Sequence, residues 1–233
     1  EAFSHISLKT TTANITFLPS EDSKTTVVCH EPDNQMHTVK LQDDTLVIQQ
    51  VDTRQWYEYI GIYFEPIQIT VYLPQKEYGS IRVASTTGKT TAENLQAQSL
   101  DISATTGDIS LSRIACAGDL SVQLTTGQTA LTNISCKNLT STGTTGSIVL
   151  RQVIAAEDCS IHVNTGDIRL EDSDAATLTL KTVTGSVSGT LLTGKTFFAK
   201  TTTGHIDVPT TAGGCCRITT TTGSISIRIH SGE

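Results

Sequence analysis

The sequence predicts an all-β fold: a single-stranded parallel β-solenoid (β-helix) with about 19 residues per coil. Three observations carry this. The dipeptide Thr-Gly recurs with its glycine at positions 88, 107, 127, 146, 166, 185, 204 and 223, every 19 or 20 residues. Around these turns the apolar residues fall on alternate positions, which is the period of an extended strand. The 233-residue chain is also rich in Thr, a β-branched residue that favours extended backbone, while only 5% of it is aromatic. A narrow core fed by one aliphatic column per strand needs few large rings.

From the N-terminus, residues 1–79 read as a β-rich cap continuous with the solenoid, and 80–233 as the repeat array. In the cap, Thr11-Thr12-Ala13-Asn14-Ile15-Thr16-Phe17 imitates the turn-and-strand unit with Ala in the place of Gly, and Val27-Val28-Cys29 follows at about the repeat distance. Thr38–Leu41 and Leu46–Gln49 form a hairpin pattern around Asp43-Asp44. The stretch from Asp52 to Pro66 holds the sole tryptophan, Trp56, beside Tyr57 and Tyr59. These rings either pack the cap or form an aromatic patch for a ligand or partner. Ile67–Leu73 alternates and stops at Pro74.

In the array, Ile81, Leu100, Leu120, Leu139, Cys159, Leu178, Phe197 and Cys216 stand seven residues before the glycines. Ala92, Leu111, Leu131, Leu150 and Leu170 stand four after, and Leu95, Ile114, Ile134, Val153 and Leu192 seven after. Nine after comes a small-residue column, Ala97, Cys116, Cys136, Ala155 and Ala175, which suits a tight inner corner. One unit cannot bury its own apolar face, so units must stack at about 4.8 Å, and eight turns span roughly 35 Å. Ile225, Ile227 and Ile229 end the array with no cap, and such an open edge invites a homodimer through the C-terminal coil.

Several function classes drop out. A net charge of −7, mixed along the chain, gives no nucleic-acid footprint. No run approaches the roughly 20 apolar residues of a membrane helix. The six histidines show no ligand spacing, and calcium-binding Gly-Gly-x-Gly-x-Asp repeats are absent, so no metal, cofactor or catalytic residue is assigned. Hydrolysis of polysaccharides needs two carboxylates roughly 5–9.5 Å apart, whereas Asp108 and Asp167 fall three coils apart. The acidic group Asp167, Glu171, Asp172 and Asp174 reads as solvated charge, with a weak calcium or glycan site as the alternative; Asp167 and Glu171 join the aromatic residues as the candidate ligand or partner patch. Cys116 and Cys136 share a corner in adjacent coils, within disulfide reach, with buried free thiols as the default. An ice-binding face is disfavoured, because the column three before each glycine faces inward.

The units Thr105–Leu111 (Thr-Thr-Gly-Asp-Ile-Ser-Leu) and Asn164–Leu170 (Asn-Thr-Gly-Asp-Ile-Arg-Leu), downstream of Ile69–Pro74 (Ile-Thr-Val-Tyr-Leu-Pro), resemble the bacterial DUF4097 family of adhesin-like proteins. The resemblance spans nearly the whole chain. It implies a non-enzymatic, exported structural or interaction module, extracellular or at the cell surface, tethered by an N-terminal membrane segment that would precede Glu1. It brings no catalytic residues. The implied partner is a protein or glycan at the cell envelope. A glycan or cell-wall polymer binding module and a β-helix carbohydrate-active enzyme are the alternatives.

Overall fold

Coils that cannot fold alone must stack. The computed structural model describes residues 2–32, 35–52 and 67–230, and there nineteen strands form one sheet with no helix among the described residues. Trp56, Tyr57 and Tyr59 lie outside the described residues. The strands are β1 (His5–Thr12), β2 (Asn14–Pro19), β3 (Thr26–His30), β4 (Gln35–Gln42), β5 (Thr45–Asp52), β6 (Gln68–Leu73), β7 (Glu77–Thr87), β8 (Thr90–Thr106) and β9 (Ile109–Cys116). They continue with β10 (Asp119–Thr126), β11 (Thr129–Cys136), β12 (Asn138–Thr145), β13 (Ile148–Thr165), β14 (Ile168–Thr184), β15 (Val187–Leu191), β16 (Lys195–Lys200), β17 (Ile206–Asp207), β18 (Gly214–Thr219) and β19 (Ile225–Ile229).

The pairing is that of a parallel β-solenoid. Leu100 lies on Leu120, Leu120 on Leu139, Leu139 on Cys159 and Cys159 on Leu178. Across the core, Ile109 lies on Thr129, Thr129 on Ile148, and Ile148 on Ile168. These side chains are buried, so the columns read from the sequence form one continuous core.

Three corners bend each coil. At the Thr-Thr-Gly corner the glycine has φ near +130 to +150, and a Cβ on Gly127 would sit 1.6 Å from the Gly107 carbonyl oxygen. Only glycine lets the coils approach that closely. The second corner, six residues after the glycine, was not anticipated. Asn94, Arg113, Asn133, Gln152 and Asp172 all take left-handed φ of 49–54° there. Asn and Asp tolerate that region better than most residues, and three of the five are Asn or Asp. The third corner is the predicted small-residue column, buried from Ala97 to Ala175. The coil after Gly185 lacks the left-handed corner. Leu191 there takes the inward place on Ser173, and Leu192, expected inside, is 41% exposed.

Both ends depart from sequential stacking. At the N-terminal end, β1 and β2 lie between β5–β6 on one side and β7–β8 on the other. The hairpin of β4 and β5 turns at Asp43-Asp44 as expected, with Asp43 at φ 51°. Val27–Cys29, at repeat distance in sequence, instead runs antiparallel to β6. At the C-terminal end, β18 sits between β14 and β16, and β19 between β15 and β17. The last coil in sequence is therefore the second-last in space. This corrects the expectation that Ile225, Ile227 and Ile229 form the open end: Ile225 and Ile227 are fully buried, and the spatial end is the coil of β16 and β17.

Candidate interaction face

At the Thr-Thr-Gly corner, two threonines per coil face solvent, because the chain cannot alternate while it turns. Thr86, Thr105, Thr125 and Thr144 form one column, and Thr87, Thr106, Thr126 and Thr145 the next. The second column is in register from coil to coil: Thr87 on Thr106, Thr106 on Thr126, Thr126 on Thr145. The backbone of the corner is self-sufficient, with Gly107 N–H donating to Thr126 O at 3.0 Å and Gly127 N–H to Thr145 O at 3.0 Å. None of the hydroxyls of Thr105, Thr125 or Thr144 bonds another described residue. Beside them runs an open groove of about 340 Å³, lined by Ser103, Thr105, Gln123, Thr125, Thr142 and Thr144 among others. The column interrupts at Asn164 and Val183 and resumes at Thr221 and Thr202.

The column three before each glycine faces inward, as expected. Thr182 and Thr220 are buried and donate to the carbonyls of Gly166 and Gly185, both at 2.9 Å. These hydroxyls are consumed by the fold.

The acidic candidates are not brought together as a ligand cage. Asp167 lies just after the Gly166 corner, where its carboxylate accepts the Ser186 N–H at 2.9 Å and pairs with Arg169 at 3.2 Å. Asp108 does the same for Gln128 N–H at 2.9 Å. Glu171 pairs instead with Arg151 of the preceding coil at 2.8 Å. Asp172 accepts from Thr190 and His230, both at 2.9 Å, and those two hydrogen bonds, Thr190 first, hold its carboxyl below the usual range. No group of His, Cys, Asp or Glu arranged for a metal occurs among the described residues.

The cysteines are free thiols. Cys116 donates to Asp119 O at 3.3 Å, and Cys136 to Ile154 O at 3.9 Å, so each thiol turns to a backbone carbonyl rather than to the other. Burial pushes the Cys136 and Cys216 thiols up to about 12, and Cys159 upward as well. A thiolate nucleophile is disfavoured at each.

What this face can do is bind by shape and by many weak contacts: hydroxyls for hydrogen bonds, methyls for apolar contact, at a repeat of about 4.8 Å. It offers neither a paired carboxylate nor an activated nucleophile.

Comparison with known proteins agrees with the architecture. A crystal structure of a putative adhesin from Bacteroides fragilis superposes with a TM-score of 0.50 at 15% identity, covering 98% of this chain and 93% of that one. A putative cell adhesion protein from Clostridium sporogenes aligns over the same shares, with a TM-score of 0.38 and 10% identity. At such identities the first likeness concerns the fold alone. No curated protein matches the chain. The Toastrack DUF4097 family model matches residues 3–153 and again 116–233, together nearly the whole sequence, and the chain belongs to that family.

Proposed function

We propose that the protein is a non-enzymatic interaction module of the cell envelope, adhesin-like, exported and displayed at the cell surface, whose threonine face engages a glycan or protein partner. The observation that carries this reading is the two-column threonine ladder, solvent-facing and in register, with first-column hydroxyls that the fold does not use. A surface held this rigid loses little entropy when a repeating partner docks along it. The name of the Bacteroides fragilis neighbour, a putative adhesin, agrees with an adhesive role.

The test is binding of the full chain to a glycan array and to purified cell-wall sacculi, alongside the triple variant Thr105→Val, Thr125→Val, Thr144→Val. Valine keeps the β-branched shape and removes only the hydroxyls. The expected result is binding by the native chain and its loss, at unchanged melting temperature, in the variant. Equal binding by the two would refute the threonine face as the site. Release of reducing ends from any polymer on incubation would refute the non-enzymatic reading.

A further inference from the structure

The outward column eight residues after each glycine is solvent-facing at Gln96, Ala115, Ser135 and Ile154, but its next member, Asp174, is buried. What covers it is Lys195, itself 4% exposed, at the start of the spatially last coil. Lys195 stacks on Gly214, whose coil intervenes, and its side chain passes over that glycine: the Lys195 Cδ lies 3.5 Å from where a Cβ on Gly214 would be. It ends with Nζ 2.5 Å from Asp174 Oδ1 and 2.7 Å from Thr193 Oγ1. Asp174 Oδ1 also accepts the Ala175 N–H at 2.7 Å. Asp174 Oδ2 is buried and has no partner.

We propose that Lys195 and Asp174 react with each other to form an intramolecular amide, Nζ to Cγ. One proton crosses the existing hydrogen bond from Nζ to Oδ1, giving the amine and the carboxylic acid that react. The amine lone pair attacks Cγ, which lies one C–O bond beyond Oδ1. The second amine proton moves to Oδ2, the proton held on Oδ1 follows it across the tetrahedral centre, the Cγ–Oδ2 bond breaks, and Oδ2 leaves as one water while Oδ1 becomes the amide carbonyl. Overall, ammonium plus carboxylate gives amide plus water, with no oxidant or activating group. The ion pair leaves Oδ2 buried and unbonded, a costly state. The amide removes it: Oδ2 departs as water, Oδ1 keeps the Ala175 N–H, and the new amide N–H donates to Thr193. Every polar atom of the product has a partner already in place. The bond spans two coils and holds the interposed one, so it locks the C-terminal end of the rod.

The test is the intact mass of the purified full chain, measured after unfolding in acid. The expected mass is that of the sequence less one water. Trypsin should then release the peptides 170–181 and 182–200 joined, since Lys195 and Asp174 lie on them. Lys195→Arg, which keeps the ion pair but cannot form this amide, should show the full sequence mass. Asp174→Asn should reach the same product as the native chain by losing ammonia. Full sequence mass for a native chain with a cooperative melt would overturn the proposal. So would loss of water in the Lys195→Arg variant.

Discussion

Gly127→Ala tests the packing at the Thr-Thr-Gly corner most directly. Gly127 has φ 138°, and its added Cβ would meet the Gly107 carbonyl oxygen at 1.6 Å, where real Cβ contacts stay above 3.0 Å. The oxygen belongs to backbone, so the coils must part. Strain at such a φ costs about 1–3 kcal/mol. Parting the coils also weakens the 3.0 Å bonds of Gly107 N–H to Thr126 O and Gly127 N–H to Thr145 O. At about 1 kcal/mol net each, the total reaches roughly 3–5 kcal/mol. The control is Gly143→Ala, in an inward column, where the Cβ would meet Leu124 O at 3.4 Å and Val163 Cγ2 at 3.5 Å. That substitution removes unfolded-chain entropy and should be neutral or stabilising by roughly 0.4–1 kcal/mol. Melting followed by far-UV circular dichroism should show Gly127→Ala lower by roughly 6–20 °C, at 2–4 °C per kcal/mol for this size. A Gly127→Ala variant that melts with the native chain, or a Gly143→Ala variant equally damaged, would refute the argument that glycine is required by coil spacing.

Leu120→Asp places an unpaired carboxylate between Leu100 and Leu139, at a position 1% exposed, and should abolish the cooperative melt; normal folding would show that this column does not face the core. Ellman's reagent on the native chain should reach Cys29 and Cys215 first, because Cys116, Cys136, Cys159 and Cys216 are buried, with Cys136 and Cys216 held near 12; uniform reactivity of all six would contradict that burial. Asp172 and Asp207 both titrate below the ordinary 3.8, Asp172 through Thr190 and His230, Asp207 through Arg228. A depressed folded-state value contributes stability above the unfolded value and loses it as pH falls through the folded one. Acid below about pH 4 should therefore loosen the β18–β19 coil before the middle of the array. Hydrogen exchange that rises in β10–β12 first would refute this order.

The periodic part of the fold was legible because each coil repeats the same chemistry. The glycine phase and the alternating Leu and Ile columns state which residues face inward without knowledge of any neighbour. The small-residue corner at Cys116 and Cys136 was legible for the same reason. The left-handed corner was harder, since Arg113 and Gln152 carry no turn signature and only Asn94, Asn133 and Asp172 hint at it. Leu192 misled because the missing corner shifts the phase by one residue, so that Leu191 is buried. The threonine face was visible as a column but its two exposed members per coil were not, because exposure at a turn does not alternate. Asp167 and Glu171 looked like a cluster in one dimension; stacking gives each a partner from a neighbouring coil, Ser186 for one and Arg151 for the other.

The order of coils at the C-terminal end could not be read from the repeat, because a repeat makes every coil an acceptable neighbour of every other. What decides it is the difference between the last two. The coil in the middle place offers Ile218, Ile225 and Ile227, each fully buried between neighbours. The coil at the end offers Ala199, Ile206 and Val208 at the corresponding inward places. Ile218 against Ala199 alone is three carbons, about 2 kcal/mol at roughly 0.8 kcal/mol per buried methylene. Phe197 against Cys216 pulls the other way, and Phe197 remains half-buried where it is. The edge itself argues for the observed order. The outermost strand β16 ends with the exposed Lys200, and a charged residue on an edge opposes pairing with another chain. The middle coil is then held by side-chain contacts on both sides, a His230–Asp172 hydrogen bond of 2.9 Å towards the array and an Arg228–Asp207 ion pair of 2.6 Å towards the end. Gly214 leaves the gap through which Lys195 reaches Asp174, so the same small residue that lets the coil slip in also lets the coils on either side of it be fastened together.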